Sequence, residues 1–485
     1  RVNGRELGCK VVGEGANLAM TQKGRIEFAL AGGRLNTDSV DNSAGVDCSD
    51  HEVNIKILLD SVVTKGKLTV AQRNRLLGTM TEEVGTLVLR DNYLQTQALS
   101  LVHSHNADVL DLQSRFMRLL ERAGRLDRAV EFLPDEETLA ERDRDKLGLT
   151  RPEISVVLPY SKLWMYDQIL ASDLPDDPQL VPDLLGYFPT PLRAKYKTEI
   201  TQHKLRREII ATVLTNDMIN RMGGTFVANM MEETGANPSD IARAFIVARD
   251  AFALSEIWRD IEALDNKVSA ETQLNMLHDV NQLIDRASLW FLRNGGQPLD
   301  MGGNINAYRP GIEKLSRRIE RLVPETVTQH IDFRIERYIG AGVPRALAGR
   351  IAYLILMISS GDIIRIADSR EIGVEQAARI YFSVGEDFGI GWLRYSAEQM
   401  DADSHWKKMA RAAVIEELYA HQRGLTLRVI EAAAKKRGDP LQNWIKANAE
   451  TMAQTRAILS EMENAEQVDL SMLAVASRHL SHLAK

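Results

Sequence analysis

A chain of 485 residues with 44% hydrophobic and 26% charged side chains can bury a sizeable core, which excludes a disordered polypeptide and suggests about three units at roughly 150 residues per domain. Lys+Arg 60 against Asp+Glu 67 leaves a net charge of −7, so the dense cationic face of a sequence-independent nucleic-acid binder has no global support and no nucleic-acid partner is expected. The longest apolar run, residues 351–358, falls far short of the ~20 residues that span a bilayer, and the 2 cysteines exclude a disulfide framework; no membrane partner and a cytoplasmic location are expected.

In chain order, Leu7 to Val12 reads as a buried strand and Arg25 to Leu30 as a second, because short apolar stretches are bounded by turn residues. Gly32-Gly33 and Asn36 to Gly45 read as irregular connections. From His51 the apolar spacing turns helical, through Val53, Ile57 and Val63, and stays so almost to Lys485. Thr69 with Gln72, and Thr150 with Glu153, fit capping boxes, and Pro152 suits the first turn of the second helix. Ile241, Phe245, Ala248 and Phe252, then Ile257, Ile261 and Leu264, predict one long amphipathic helix with a phase shift. Connections are expected at 172–191, 294–311 and Gly438 to Pro440, and no fixed-period repeat favours a solenoid. Composition divides the chain into a strand-and-loop stretch, 1–54, and helical subdomains over 55–190, 191–300 and 301–485. The fold class is mainly α, with a short α/β N-terminal part and a large all-helical region.

Gly13-Glu14-Gly15-Ala16-Asn17-Leu18 follows the first expected strand and is a truncated G-x-G-x-x-G, with Leu18 at the third glycine. Too few residues separate Asn17 from the next strand for a full crossover helix. Two readings remain: a glycine-rich loop at the carboxyl end of a later strand, where ligands collect, or a tight turn with no ligand. His51-Glu52 begins like H-E-x-x-H, but Ile55 stands where the second ligand belongs, so a zinc protease fails. His103 with His105, and His479 with His482, lack clustered Cys or acidic partners and read as surface or capping residues; no metal site is expected. No P-loop is present. Trp164, Trp258 and Trp290 fall in helical patterns and read as core. Cys48 has no identifiable base beside it and reads as structural. The polar stretch Asn36 to Glu52 is unusual, although a solvated loop accounts for its polarity.

Val12 to Asn17, then Gly24-Arg25-Ile26-Glu27, then Asn42-Ser43-Ala44-Gly45-Val46 and Ser49 together resemble the last part of the nucleotide domain of amino-acid dehydrogenases of the glutamate/leucine/phenylalanine/valine class. There an E-G-A-N loop precedes an N-A-G-G-V segment and a serine. The longer wording, Lys10 to Glu27 and Asp41 to Lys56, with Gly148-Leu149-Thr150-Arg151-Pro152-Glu153, resembles the large bacterial NAD-specific glutamate dehydrogenases, along the whole chain. Ser43-Ala44-Gly45 departs from Ala-Gly-Gly, and Asp50-His51-Glu52 from the aromatic-rich run of the small enzymes.

The resemblance implies that residues 1–54 are a Rossmann-like remnant and that this is the C-terminal portion of a longer polypeptide. The catalytic lysine, the acid/base aspartate and the first glycine-rich turn would then lie upstream, and the isolated chain would be inactive. It implies NAD as cofactor, L-glutamate and 2-oxoglutarate as substrate and product, and a homo-oligomer. Gly15, Ala16 and Asn17 match the loop beside the nicotinamide end, Asn42 the junction of nicotinamide and substrate, and Ser49 the serine that reaches the substrate α-carboxylate. None of these is a plausible general base, so no catalytic residue is expected here. The rival reading makes residues 55–485 a helical oligomerisation or regulatory module with no chemistry of its own.

Overall fold

The computed structural model describes residues 2–400, 404–433, 438–465 and 468–484. The chain forms two compact units, Arg1–Ile246 and Val247–Lys485. Both are helical, and no strand occurs among the described residues; the one bridge is a parallel contact between Val11 and Arg34.

The N-terminal stretch departs most from expectation. Around that bridge the Val12 N–H donates to the Arg34 carbonyl at 3.0 Å and the Arg34 N–H to Lys10 at 2.9 Å. The pairing goes no further than this, so Leu7 to Val12 is an extended segment rather than a buried strand, and Val11 is exposed. Arg25 to Leu30 is helical, within Gln22–Leu30. Thr21 caps this helix by accepting the Gly24 N–H at 3.1 Å. Arg25 and Phe28, both buried, are three residues apart, a spacing that shares a face in a helix and opposes faces in a strand. Asn36 to Gly45 is not irregular either: it holds the short helix Asp38–Asp41 and the first turn of Ser43–Thr64. Thr37 and Asn42 take the cap positions without a side-chain cap bond, and the polarity serves the neighbouring loop instead, Asp41 and Asp38 accepting its Glu14 and Leu18 N–H groups.

Ser43–Thr64 buries Ile55, Leu58, Leu59 and Val62, and packs on Thr81–Ser104. That helix packs in turn against Arg151–Leu170 and Arg206–Met222, which complete the centre of the first unit. Both capping boxes form: the Thr69 N–H donates to Gln72 Oε1 at 2.9 Å, and the Thr150 N–H to Glu153 Oε2 at 2.6 Å. Glu153 also takes two bonds from Arg142, at 2.6 and 2.9 Å, so the second cap is a buried ion pair. The proline-rich 172–191 is largely ordered into turns, Leu174–Asp176 and Pro178–Leu180, and the helix Val181–Tyr187, with prolines in first turns where no N–H is needed.

The expected helix at 241–264 is two helices, Pro238–Ala251 and Leu254–Glu262. The phase shift is a real break at Ala253, held at φ 51°. In the second unit 294–311 is mostly helical, since Asp300 accepts the Gly303 N–H at 3.0 Å and starts Met301–Arg318. Asp439 likewise starts Pro440–Ala447. Val384, Phe388, Leu418, Leu425, Leu473 and Leu480 sit in one core there. Trp164 and Trp258 are buried, and the Trp290 indole donates to Asp362 Oδ1 at 2.8 Å. Among the described residues no single helix is long and apolar enough to cross a membrane.

Candidate functional site

The loop after Val12 is fixed from beneath by its glutamate. Glu14 is 2% exposed; it accepts Arg25 Nε at 2.5 Å and Nη2 at 2.9 Å, and the Met20 N–H at 2.9 Å. Its own N–H donates to Asp41 Oδ2 at 2.8 Å, and the Leu18 N–H to Asp38 Oδ2 at 2.8 Å. The loop is thereby braced against Asp38–Asp41, with Leu18 held at φ 60°. A Cβ built on Gly13 or Gly15 meets nothing within 4 Å, so the backbone here is open to a ligand.

This bracing brings Asn17 to Asn42: Asn42 Nδ2 donates to Asn17 Oδ1 at 3.0 Å. Asn42 stands at the start of Ser43–Thr64, and its amide lies over Gly45, where an added Cβ would come within 3.2 Å of Oδ1. The motif around Thr150 holds the arrangement from the other side. Arg151 donates to Asn36 Oδ1 at 2.6 Å and Ser100 Oγ at 3.0 Å, and Asn36 donates to Asp41 Oδ1 at 2.7 Å.

Asn17 and Asn42 line a cavity of about 870 Å³ within the first unit. Asp38, Asp47, Asp50 and Asp91 also line it, with Lys162 as the one cationic side chain of the wall among the described residues, together with Asn216 and Asn220. Burial pushes Asp47 up to about 7, helped by Asp91 and Asp50, and it shares a hydrogen bond with Asp91. Asp91 is raised too, by burial against the pull of Lys162. Burial lowers Lys162 to about 8, opposed by Asp91 and Asp47, and its Nζ donates to Gln95 at 2.9 Å. The Asp47–Asp91 pair is therefore held above the usual carboxylate range, with Lys162 as counter-charge. Below the cluster the Tyr187 hydroxyl donates to Asp50 Oδ2 at 2.7 Å and its ring stacks on His51 at 4.4 Å.

Asp47, His51 and Asp91 bring one ligand-type atom each within 4.8 Å of one another. Lys162, attracted by both Asp47 and Asp91, places a positive charge beside this group, against which any further cation would have to bind.

Of the residues singled out from sequence, Asn17 and Asn42 meet in the cavity wall. Gly15 and Ala16 are exposed on the adjoining loop and do not line the cavity. Ser49 is exposed on Ser43–Thr64, off the cavity wall, its Oγ donating to the Gly45 carbonyl at a long 3.4 Å. Cys48, read as structural, is an exposed free thiol. Glu14, Asp47, Asp91, Lys162 and Asn220 were not anticipated. One signal existed: Lys162 sits between Leu158, Ser161 and Met165, all buried, where a solvated lysine does not belong.

Residues 146–482 match the family described as glutamate dehydrogenase, C-terminal, and residues 1–102 match the bacterial NAD-glutamate dehydrogenase catalytic domain. The chain belongs to this glutamate dehydrogenase family. It is 38% identical to the NAD-specific glutamate dehydrogenase of Halomonas elongata, 40% to that of Pseudomonas aeruginosa and 34% to that of Mycobacterium tuberculosis. Each alignment covers the whole of this chain and 30% of the relative, so the chain spans about 30% of the length of the curated relatives it matches. The cavity draws on both matched regions: Asn17, Asn42, Asp47 and Asp91 fall in the first, Lys162 and Asn220 in the second.

Proposed function

We propose that this chain serves in an NAD-dependent L-glutamate dehydrogenase, which oxidises L-glutamate to 2-oxoglutarate and ammonium. NAD supplies the hydride acceptor when bound. Gly15 and Ala16 give it an open backbone to approach, and the joined amides of Asn17 and Asn42 offer both donors and acceptors at its nicotinamide end. Ser49 donates to a substrate carboxylate, a role its exposed hydroxyl with only one long internal bond leaves open. The observation that carries this reading is the Asn17–Asn42 bond, which joins two motif segments 25 residues apart into one wall. Residues 1–54 are then the closing part of a Rossmann-like nucleotide domain, and the Val11–Arg34 bridge is its parallel pairing. The test is NADH formation from glutamate and NAD by the complete polypeptide, compared with Asn42→Ala. Turnover by the parent and weakened NAD binding by the variant are expected; an unchanged KM for NAD rejects the role of Asn42.

The helical second unit serves assembly or regulation in the same reading. Phe333 and Trp406, 75% and 78% exposed, are large apolar side chains open to a partner there. Light scattering of the complete polypeptide with Trp406→Glu tests it, a smaller oligomer being the expected result.

A further inference from the structure

We propose that the acidic cavity of the first unit is an ammonium site, where the ammonium of the reaction rests against Asp47, Asp91 and Asn220; this rests on the dehydrogenase reading above and assigns it a place for the nitrogen.

The charges in the wall are not equally available. Asp38 is held by Arg25 at 3.1 Å, and Asp50 accepts the Tyr187 hydroxyl. That leaves Asp47 and Asp91, two carboxyl groups facing one lysine and sharing one proton. Independently of these, Asn220 is 3% exposed, lines the same cavity and has an Oδ1 with no hydrogen-bond partner. Asp47 Oδ2 is buried and unpartnered as well. Both orphaned atoms are acceptors, so the group that satisfies them is a donor.

The size of the charge selects among donors. A dicarboxylate would face the aspartates and be repelled. A divalent cation would sit beside the Lys162 ammonium against Coulomb repulsion, in a place where charge is poorly screened. An ammonium ion replaces the shared carboxyl proton one for one, leaving the balance with Lys162 unchanged, and brings four N–H donors to a wall rich in carboxylate and amide oxygens. Asn17 and Asn42 lie in the same wall, so a nitrogen held here stays in the cavity that the proposed cofactor end borders.

The experiment is reductive amination of 2-oxoglutarate by the complete polypeptide with ammonium chloride varied, for the parent, Asp91→Asn and Asn220→Ala. Loss of one charge-assisted bond should raise the KM for ammonium about tenfold in each variant, with those for 2-oxoglutarate and NADH within about twofold. An ammonium KM that stays put in a folded variant, or that rises together with the other two, overturns the proposal. If Asp91→Asn does not fold, Asn220→Ala decides alone. A parent that consumes no NADH with 2-oxoglutarate and ammonium sinks the dehydrogenase reading and this one with it, whereas an active parent with unresponsive variants sinks this one only.

Discussion

Arg25 and Glu14 form a nearly solvent-free ion pair, with side chains 7% and 1% exposed and Nε to Oε2 at 2.5 Å. The pair sets the height of the loop that carries Asn17. Removing one partner leaves a buried charge, which costs roughly 3–5 kcal/mol. Asp38, 3.1 Å from Arg25, remains as a partial substitute. Glu14→Gln is therefore expected to cost about 3 kcal/mol, at the low end of that range. Urea unfolding checks the loss, and faster amide exchange across 15–18 than in Gln22–Leu30 checks that the loop is what loosens.

Gly45→Ala separates stability from binding. Alanine favours a helix over glycine by about 1 kcal/mol, so the thermal midpoint should hold or rise. The new Cβ, within 3.2 Å of Asn42 Oδ1, displaces the amide and strains its 3.0 Å bond to Asn17. A raised KM for NAD at an undiminished midpoint is the expected pair of results. Equal losses in both would show that the Asn42 amide has no special placement.

Ser49→Ala should leave stability within about 0.5 kcal/mol, because the exposed hydroxyl has only a long bond to Gly45. On the role proposed for Ser49 the effect falls on substrate: a hydroxyl–carboxylate bond is worth about 1.5–3 kcal/mol, a rise of roughly tenfold or more in the KM for glutamate. Varying glutamate and NAD separately checks it, and a KM for glutamate that does not move rejects the assignment.

Asp47 gives the first unit a pH dependence of definite sign. Its carboxyl rises from 3.8 to about 7 on folding, so the folded state binds the proton more tightly. The stability this contributes is complete below about pH 4 and is lost as pH climbs through 7. Asp47→Asn, fixed in the neutral form, should gain on the parent across that window, by at most about 1.4 kcal/mol per pH unit for one proton. Parallel unfolding curves for the two proteins from pH 4 to pH 7 would show that Asp47 ionises freely in the fold.

Helix starts were legible where a hydroxyl or carboxylate stood three residues before its partner, as at Thr69 and Thr150, because that signal is local. Arg25 to Leu30 misled for a physical reason: six residues with three aliphatic side chains and a phenylalanine fit either period, and the deciding fact is that an arginine is buried, which depends on a glutamate eleven positions earlier. The break at Ala253 was visible as a slip in spacing but could not be told from a bulge. In the site, Asn17 and Asn42 were readable from motif wording. Asp91, Lys162 and Asn220 were not, since each acquires meaning only when helices far apart in sequence meet around one space. Only Lys162 carried a local hint, in its apolar neighbours Leu158 and Met165 about one turn away on either side.

Ser43–Thr64 is a single rod of 22 residues, about 33 Å long. Its opening turns carry Asn42, Asp47 and Ser49, while its closing turns carry Leu58, Leu59 and Val62 deep in the hydrophobic interior. A rod cannot tilt at one end alone. Trimming Leu59 to alanine, ten residues from Ser49, is expected to let the rod settle into the space left behind and swing its forward end by leverage. If Asn42 and Ser49 take the roles proposed for them, conservative exchanges among Leu58, Leu59 and Val62 are expected to shift Michaelis constants of the complete polypeptide from a distance, with no change to the groups proposed to meet a ligand.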